Sequence, residues 1–260
     1  MATFNSRREG RSGITVLRCF AAIFILSTQV ILADDAQNKL FAARAEAEFN
    51  RTQKLYEDAD NAANAIPFAR ACFDFADFAT NKVERASIAR LGIAACRKAI
   101  DDDPKPAPAH YYLAMNLGQL ARTEFLGALR IVREMEHEFK TASTLDPHYD
   151  YAGPERCLGL LYRDAPGWPA SIGNKRKARN DLEQAADLAP DDPENILTLA
   201  ESDLKWHDLM AAQKGLNALD ALWPQAQKEF IGEPWEHDWV DWTARREALR
   251  QKLSSPATSD

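Results

Sequence analysis

The feature of the sequence that most constrains its fold is a helix ending that recurs four times and closes each time on a proline. The spacings between successive prolines are 43, 43 and 34 residues, for Pro104, Pro147, Pro190 and Pro224. A small or apolar residue stands five positions before each proline and a bulkier one eight positions before it, as in Ala185 and Leu182 before Pro190. Periods of this length are typical of solenoids built from helical hairpins.

A matching first helix precedes the last three of these endings. The segments at 110–121, 155–162 and 195–202 share a bulky residue followed by a small one: Leu117–Gly118, Leu158–Gly159 and Leu199–Ala200. A small residue at this place lets the second helix of a hairpin approach closely. The pattern resembles the tetratricopeptide repeat, and the chain has only 11 glycines, a composition that favours helix. We therefore predict an all-α, tetratricopeptide-like solenoid of helical hairpins.

The same pattern divides the chain. We expect one helical-repeat domain over residues 34–253, with repeat units at about 65–104, 108–147, 152–190 and 193–224. Solenoids need ends with a polar outer face, so the amphipathic stretches 36–63 and 236–253 are predicted to be capping helices. The tail 254–260 is predicted to be disordered.

The first 33 residues have the pattern of an export signal. Four arginines lie ahead of an apolar run that extends from Cys19 to Ala33. This run is shorter than the about 20 residues that span a bilayer, and it ends in a sequence suited to cleavage after Ala33. A periplasmic protein is predicted; the alternative is a retained N-terminal membrane anchor.

Charge and motifs exclude several classes of function. The net charge is -7, which makes the chain a poor candidate for binding nucleic acid or an anionic membrane. The sequence contains no nucleophile elbow, phosphate loop or zinc motif, and its five histidines lack metal-ligand spacing. We predict no enzymatic activity, no cofactor and no metal site.

Cysteine spacing suggests one disulfide. Cys72 and Cys96 lie at similar distances from a helical turn around residues 81–83, so that they face each other if both flanking segments are helical. In an exported protein a Cys72–Cys96 disulfide is the expectation. The alternative is a pair of buried free thiols.

Candidate binding residues lie on one first helix. First helices line the concave surface of such arrays, so that Tyr111 or Tyr112 is placed to contact a ligand or a peptide. Asn116, about one turn further on, would add a polar contact. The alternatives are that one of the two tyrosines lies in the core and that Asn116 is only exposed to solvent.

A second set of candidates lies in the segment "DAPGWPASIGN", residues 164–174. Trp168 either lines a pocket or fills a gap between two helices as a structural peg, and we favour the peg. Ser171 and Ile172 lead into a helix N-terminus, whose N–H groups either receive a carboxylate or phosphate or are only capped. Asn174 is a suitable N-cap. Near the C-terminus, Trp235, Trp239 and Trp242 share one helical face and are predicted to be buried.

Residues 151–201 resemble the T component of TRAP transporters, a family of periplasmic helical-repeat proteins. The resemblance lies in Gly153–Pro154, Leu158–Gly159, Tyr162, Ala165–Pro169, Ser171–Gly173 and the joint "LAPDDPEN". It implies an all-helical protein that assembles into a trimer, contains an internal hydrophobic channel and partners a solute-binding protein. The family's lipid-attachment motif is lacking here.

Two functional hypotheses follow. The first is an exported binding scaffold that serves TRAP-type solute uptake, partners a periplasmic solute-binding protein as a homotrimer and takes an apolar or carboxylate small ligand. The alternative is a general periplasmic scaffold that binds a peptide or helix in its groove. An enclosed apolar channel would favour the first hypothesis, and an open polar groove would favour the second.

Overall fold

The protein is described here from a computed structural model that covers residues 35–124 and 128–254. Within these ranges it forms ten α-helices and one short 3-10 helix, and no β-strand. The helices are α1 (Asp35–Asp58), α2 (Ala62–Ala76), α3 (Lys82–Asp102), α4 (Ala107–Ala121), α5 (Ala128–Leu145), α6 (Gly153–Asp164), α7 (Lys175–Leu188), α8 (Pro193–Lys205), α9 (Leu209–Glu229) and α10 (Glu236–Ser254), with the 3-10 helix at Glu233–Trp235. The all-α prediction is confirmed.

Eight of these helices form four successive hairpins: α2–α3, α4–α5, α6–α7 and α8–α9. Each helix packs against its partner in the hairpin, and each hairpin packs against the next. The small residue of the sequence pattern permits this closeness, because a Cβ added at Gly159 of α6 would lie 2.5 Å from Leu182 Cγ of α7. The helix α1 packs on α2 at one end, and α10 packs on α8 and α9 at the other.

Two apolar clusters make up the core. The larger extends from α1 to α7 and includes Phe73, Phe139 and Leu182. The smaller joins α8, α9 and α10 through Leu197, Leu219 and the aromatic rings near the C-terminus. Trp235 and Trp242 are buried there and Trp239 is half-buried. Burial is therefore confirmed for two of the three predicted tryptophans, and Trp235 lies in the 3-10 helix ahead of α10.

Short polar side chains begin several helices. Asn61, Asn81, Asn174, Asp192 and Asp208 each accept hydrogen bonds from backbone N–H groups in the first turn of α2, α3, α7, α8 and α9 respectively. These bonds satisfy donors that have no partner within the helix. The prediction of Asn174 as an N-cap is confirmed.

One of the four predicted helix ends is wrong. Pro224 lies inside α9, which continues to Glu229, because a proline in a helix costs one hydrogen bond but does not always stop it. The other three prolines of the repeat lie just outside their helices.

Some predictions concern residues beyond the described part. The export signal (1–33) lies outside it, as does the tail from residue 255 onward, whereas Ser254 belongs to α10. Among the helices that are described, none has the length and apolar character needed to cross a bilayer.

Candidate functional site

The described residues form a pocket of about 780 Å³ on the side of the first helices. Its walls come from α1 and α2, its floor includes Tyr112 of α4 and Tyr149 of the α5–α6 turn, and its rim includes residues of the C-terminal region. The lining residues are Phe41, Arg44, Ala45, Ala47, Glu48, Arg51, Ile66, Pro67, Arg70, Ala71, Asp74, Phe78, Tyr112, Tyr149, Glu233, Pro234 and His237. Pockets of 300–1,000 Å³ commonly hold small ligands.

Aromatic rings shape one end of this pocket. The His237 ring packs edge-on against Phe41 of α1, with ring centroids 4.9 Å apart, and against Phe78 after α2, at 6.3 Å. The start of α10 therefore reaches across to α1 and α2, the two N-terminal helices. The predicted caps do more than cover the ends of the solenoid, since both contribute to the pocket.

Ion pairs join the same two ends of the chain. Arg44 Nη1 of α1 lies 2.6 Å from Glu236 Oε2, and its Nε lies 3.2 Å from Glu233 Oε1. The hydrogen bond to Glu236 is the main cause that raises the pKa of Arg44. Because exposed ion pairs stabilise a fold only weakly, we expect this Arg44 clasp to break without unfolding either helix.

A half-buried arginine lies at the floor. Arg70 of α2 has its Nε 3.9 Å from Asp74 Oδ2, and its side chain is 24% exposed. Its pKa is raised, first by the negative charge that Tyr112 would carry if it were ionised and then, against the effect of burial, by Asp74 and Asp150. Burial in turn raises the pKa values of Tyr112 and Tyr149. Arg70 is therefore a fixed positive charge set among neutral aromatic rings.

The α5–α6 turn beside Arg70 has an uncommon backbone. Asp150, Tyr151 and Ala152 have φ values of 51°, 55° and 59°, in the left-handed region that side chains disfavour by about 1–2 kcal/mol per residue. In this conformation Asp150 accepts a hydrogen bond from Tyr111 Oη at 2.8 Å and lies 3.7 Å from Arg156 Nη2. Gly153 leaves room for it, since an added Cβ would lie 2.8 Å from Tyr111 Oη. The local strain thus places a carboxylate next to the pocket floor.

The three sequence candidates on α4 have different environments in the structure. Tyr112 lines the pocket. Tyr111 is buried behind it and holds Asp150. Asn116 is fully buried and donates to the carbonyl oxygens of Ala69 and Tyr112, both at 2.8 Å. Its place as a groove residue is therefore corrected: Asn116 joins α4 to α2 from inside the core.

The second set lies elsewhere, in the turn between α6 and α7. Trp168 is 88% exposed, so the preferred interpretation as a structural peg is wrong. The turn is held instead by backbone hydrogen bonds, from Gly173 N–H to the Pro166 carbonyl at 2.9 Å and from Asn174 N–H to the Tyr162 carbonyl at 2.8 Å. These bonds hold the turn without any contact from the indole, which lies in solvent. Ser171 is buried and Ile172 half-buried against the core.

The cysteines also differ from the preferred expectation. Cys72, Cys96 and Cys157 are buried free thiols, so the predicted Cys72–Cys96 disulfide is not formed in this structure. Burial raises the pKa of Cys72, and the charge of Asp74 adds to this effect. Burial likewise raises the pKa of Cys96, with further contributions from Cys72 and Glu138. The alternative of two buried thiols in the helical core describes the structure.

Sequence reasoning missed most of the pocket. Arg44, Arg70 and Asp74 are not among the sequence candidates, because no local motif marks them. The partners of Arg44 lie far along the chain, and Arg70 and Asp74 line the pocket together with residues of α1, α4 and the C-terminal region. A signal was present for Arg70 alone, which stands on the same face of α2 as the other pocket residues Ile66 and Asp74. Within residues 35–124 and 128–254 no group of three metal-ligating side chains comes together.

The fold is similar to that of a tetratricopeptide-repeat protein from Thermus thermophilus. The two structures superpose with a TM-score of 0.52, over 82% of this chain and 94% of that chain, at 18% sequence identity. Similarity at this identity shows the fold alone. No protein-family model matches the sequence, and the search of curated proteins gives no match. The tetratricopeptide-like solenoid predicted from the helix endings is confirmed.

Proposed function

We propose that the protein is a binding scaffold whose pocket between α1, α2 and the start of α10 takes a segment of a partner protein. The observation that carries the proposal is the position of Arg70, a half-buried positive charge at the floor of an open pocket with aromatic walls. The tetratricopeptide-like fold supports it, because helical-repeat arrays present extended concave surfaces for binding.

The lining predicts the chemistry of the segment. Phe41, Ile66 and Phe78 offer apolar contact, while Arg70 offers a guanidinium that suits a carboxylate. Asp74 and Glu48 also line the pocket, so that a second acidic group would be repelled. The best fit is a segment with one carboxylate beside an apolar or aromatic side chain. A small carboxylic acid with an apolar body has the same chemistry and is the alternative ligand.

Site-specific cross-linking tests this proposal. A photo-reactive phenylalanine analogue placed at Ile66, which lines the pocket, is expected to capture a partner in the producing cells. The same analogue at Ala94, an exposed position on α3, serves as the control. Adding Arg70→Gln should reduce the Ile66 cross-link about tenfold through loss of the charge-assisted hydrogen bond, whereas Arg97→Gln on exposed α3 should not. Equal cross-linking from both positions would refute the pocket as the binding site.

A finer proposal names the partner. The resemblance of residues 151–201 to the TRAP T component supports an accessory role in solute uptake, with a solute-binding protein as partner, a periplasmic location and a trimeric assembly. The pocket, lined by three arginines and three acidic residues, fits a general peptide-binding scaffold better than an apolar channel. Identification of the Ile66 cross-link by mass spectrometry distinguishes the two, osmotic-shock fractionation tests the location, and native mass spectrometry tests the trimer and any co-purified small acid.

A further inference from the structure

The turn between α6 and α7 and the turn between α8 and α9 are neighbours at one edge of the solenoid. Arg179 Nη2 of α7 lies 3.1 Å from Asp208, the N-cap of α9, and Lys175 Nζ lies 5.6 Å from the centre of the Trp206 ring. The start of α7, into which residues 165–174 lead, therefore lies beside the start of α9, far along the chain from the pocket.

Large apolar side chains protrude from this surface. Trp168 is 88% exposed, and at the start of α9 Met210 is 86% and Leu209 51% exposed. The flanking residues Pro166 and Pro169 are exposed as well. Because the turn is fixed by its own backbone hydrogen bonds, the protein presents the indole to solvent in a defined place. An exposed cluster of this kind marks an interaction site.

Positive charge surrounds these apolar tips. Lys175, Arg176 and Lys177 are exposed in the first turn of α7, where the helix dipole favours anions and disfavours cations. Of the acidic residues nearby, Asp164 lies 2.6 Å from Lys205 Nζ and Asp208 binds Arg179. Glu136 lies 4.0 Å from Lys177 Nζ and also pairs with Lys140. We call the group made by these cations and the apolar tips the edge surface; it consists of Trp168, Lys175, Arg176, Lys177, Leu209 and Met210.

The opposite edge has the opposite charge. The turns between successive repeats and the helix ends beside them carry exposed aspartates, at Asp58, Asp60, Asp101, Asp102, Asp103, Asp146, Asp187 and Asp191. Much of the acidic excess of the chain therefore lies on the side away from the edge surface. The net charge of -7, which argued against anionic membranes, does not describe the edge surface itself.

We propose that the edge surface docks on an anionic membrane, with Trp168 and Met210 in the headgroup region and Lys175, Arg176 and Lys177 facing lipid phosphates. Binding of this type gains from buried apolar area and from attraction to anionic lipid together, and tryptophan favours the membrane–water interface. The aspartate-rich edge would be repelled by the same lipids, so that charge also sets the orientation. The proposal is independent of the pocket and of its partner.

Vesicle co-sedimentation tests the proposal with the full chain as it is produced. Wild-type protein is expected to sediment with vesicles of equal parts phosphatidylcholine and phosphatidylglycerol, and the binding should weaken at high salt. Trp168→Ala should lower the partition coefficient about tenfold through lost apolar burial. Arg176→Glu should lower it by a similar factor, because it replaces a cation by an anion. Ile231→Ala and Lys228→Glu, exposed positions at the other end of α9, are the matched controls and should bind like wild type.

A second readout remains valid if residues 1–33 are retained and hold the protein on every vesicle. In a Cys19→Ser background, a polarity-sensitive dye is attached to Trp168→Cys or to Ile231→Cys, while the three buried cysteines remain unlabelled. Emission should shift to shorter wavelength only at position 168 and only with phosphatidylglycerol present.

Three vesicle results would overturn the proposal: no shift at position 168, equal shifts at both positions, or vesicle binding that Trp168→Ala and Arg176→Glu leave unchanged. A photo-reactive analogue at Met210 provides a fourth test: if it captures an acidic protein and Arg176→Glu abolishes that cross-link, the edge surface has a protein as its occupant and the membrane assignment is wrong. Circular dichroism melting of each variant verifies that the fold is intact.

Discussion

Arg245 is predicted to be the side chain whose loss most destabilises the C-terminal part of the solenoid. It lies in α10, is almost fully buried, and donates to Glu194 at 2.8 Å, to Glu201 at 2.7 Å and to Asp241 at 2.9 Å. Burial alone would lower its pKa, but these three carboxylates outweigh burial and keep the pKa well above the usual value. One guanidinium thus holds α10 against α8 and neutralises a cluster of acids.

The size of the effect follows from what Arg245→Met would leave behind. Removing one partner of a buried ion pair costs about 3–5 kcal/mol, because the remaining charge has no compensation. Here the half-buried Glu201 and the buried Glu194 would remain close together without the cation that lies between them.

Urea unfolding, followed by tryptophan fluorescence, measures this directly. At about pH 7 the variant should lose about 3–5 kcal/mol of unfolding free energy. Arg250→Met is the matched control, since Arg250 lies in the same helix but is 38% exposed beside Asp220, and its loss should stay within about 1 kcal/mol. A loss for Arg245→Met below about 1 kcal/mol would refute the reasoning.

Three further predictions concern exposure and burial. Trp168→Ala should change the unfolding free energy by no more than about 0.5 kcal/mol, because the indole is in solvent. Trp242→Ala removes a buried ring and should cost about 3–5 kcal/mol. Urea titration of both variants measures the difference. The three buried cysteines should react with a thiol reagent only after denaturation, and all three should then react without a reducing agent, whereas reaction of a single one would restore the predicted disulfide. Burial and the charge of Glu155 raise the pKa of Asp181 to about 6, so this carboxylate destabilises the fold increasingly between about pH 4 and about pH 6 and to its full extent above that. Asp181→Asn should therefore stabilise the protein by about 1 kcal/mol at pH 7 after allowance for solvent screening. Melting temperatures should show that this gain disappears near pH 4, and a gain that persists there would contradict the assignment.

The fold was predictable because its determinants repeat along the chain. The pair Leu158–Gly159 predicts from its place in the repeat that a second helix packs closely there, and the structure places Gly159 directly against Leu182 of that helix. The error at Pro224 has a local cause: a proline marks a helix end only where nothing favours continuation, and Trp223 and Ala226 are buried on both sides of it. Packing of these two residues outweighs the lost hydrogen bond.

Trp168 shows why the candidate site was harder to predict. A large aromatic residue between two prolines has the same sequence pattern whether its ring is buried or exposed. Whether the ring is exposed depends on how the turn is closed. Here backbone hydrogen bonds from Gly173 to Pro166 and from Asn174 to Tyr162 close the turn without any contact from the ring. The roles of Tyr111 and Tyr112 likewise depend on Asp150, which the sequence pattern does not place. With its left-handed backbone, Asp150 accepts a hydrogen bond from Tyr111.

The pocket itself depends on a contact that no repeat pattern contains. Arg44 and Glu236 are 192 positions apart, in helices predicted only as caps, and neither residue has a distinctive local sequence. A cap with a purely protective role would direct its polar residues to solvent. Instead α1 and the start of α10 direct Arg44, Glu233 and His237 toward each other across the first helices. Because the ion pairs are exposed and individually weak, a partner segment that binds Arg70 can displace the Arg44 clasp at small cost. We therefore expect the Arg44 clasp to open when the partner enters the pocket. Arg44→Ala, which removes the clasp, is expected to strengthen the Ile66 cross-link. A weaker cross-link in that variant would instead make Arg44 a direct contact of the partner.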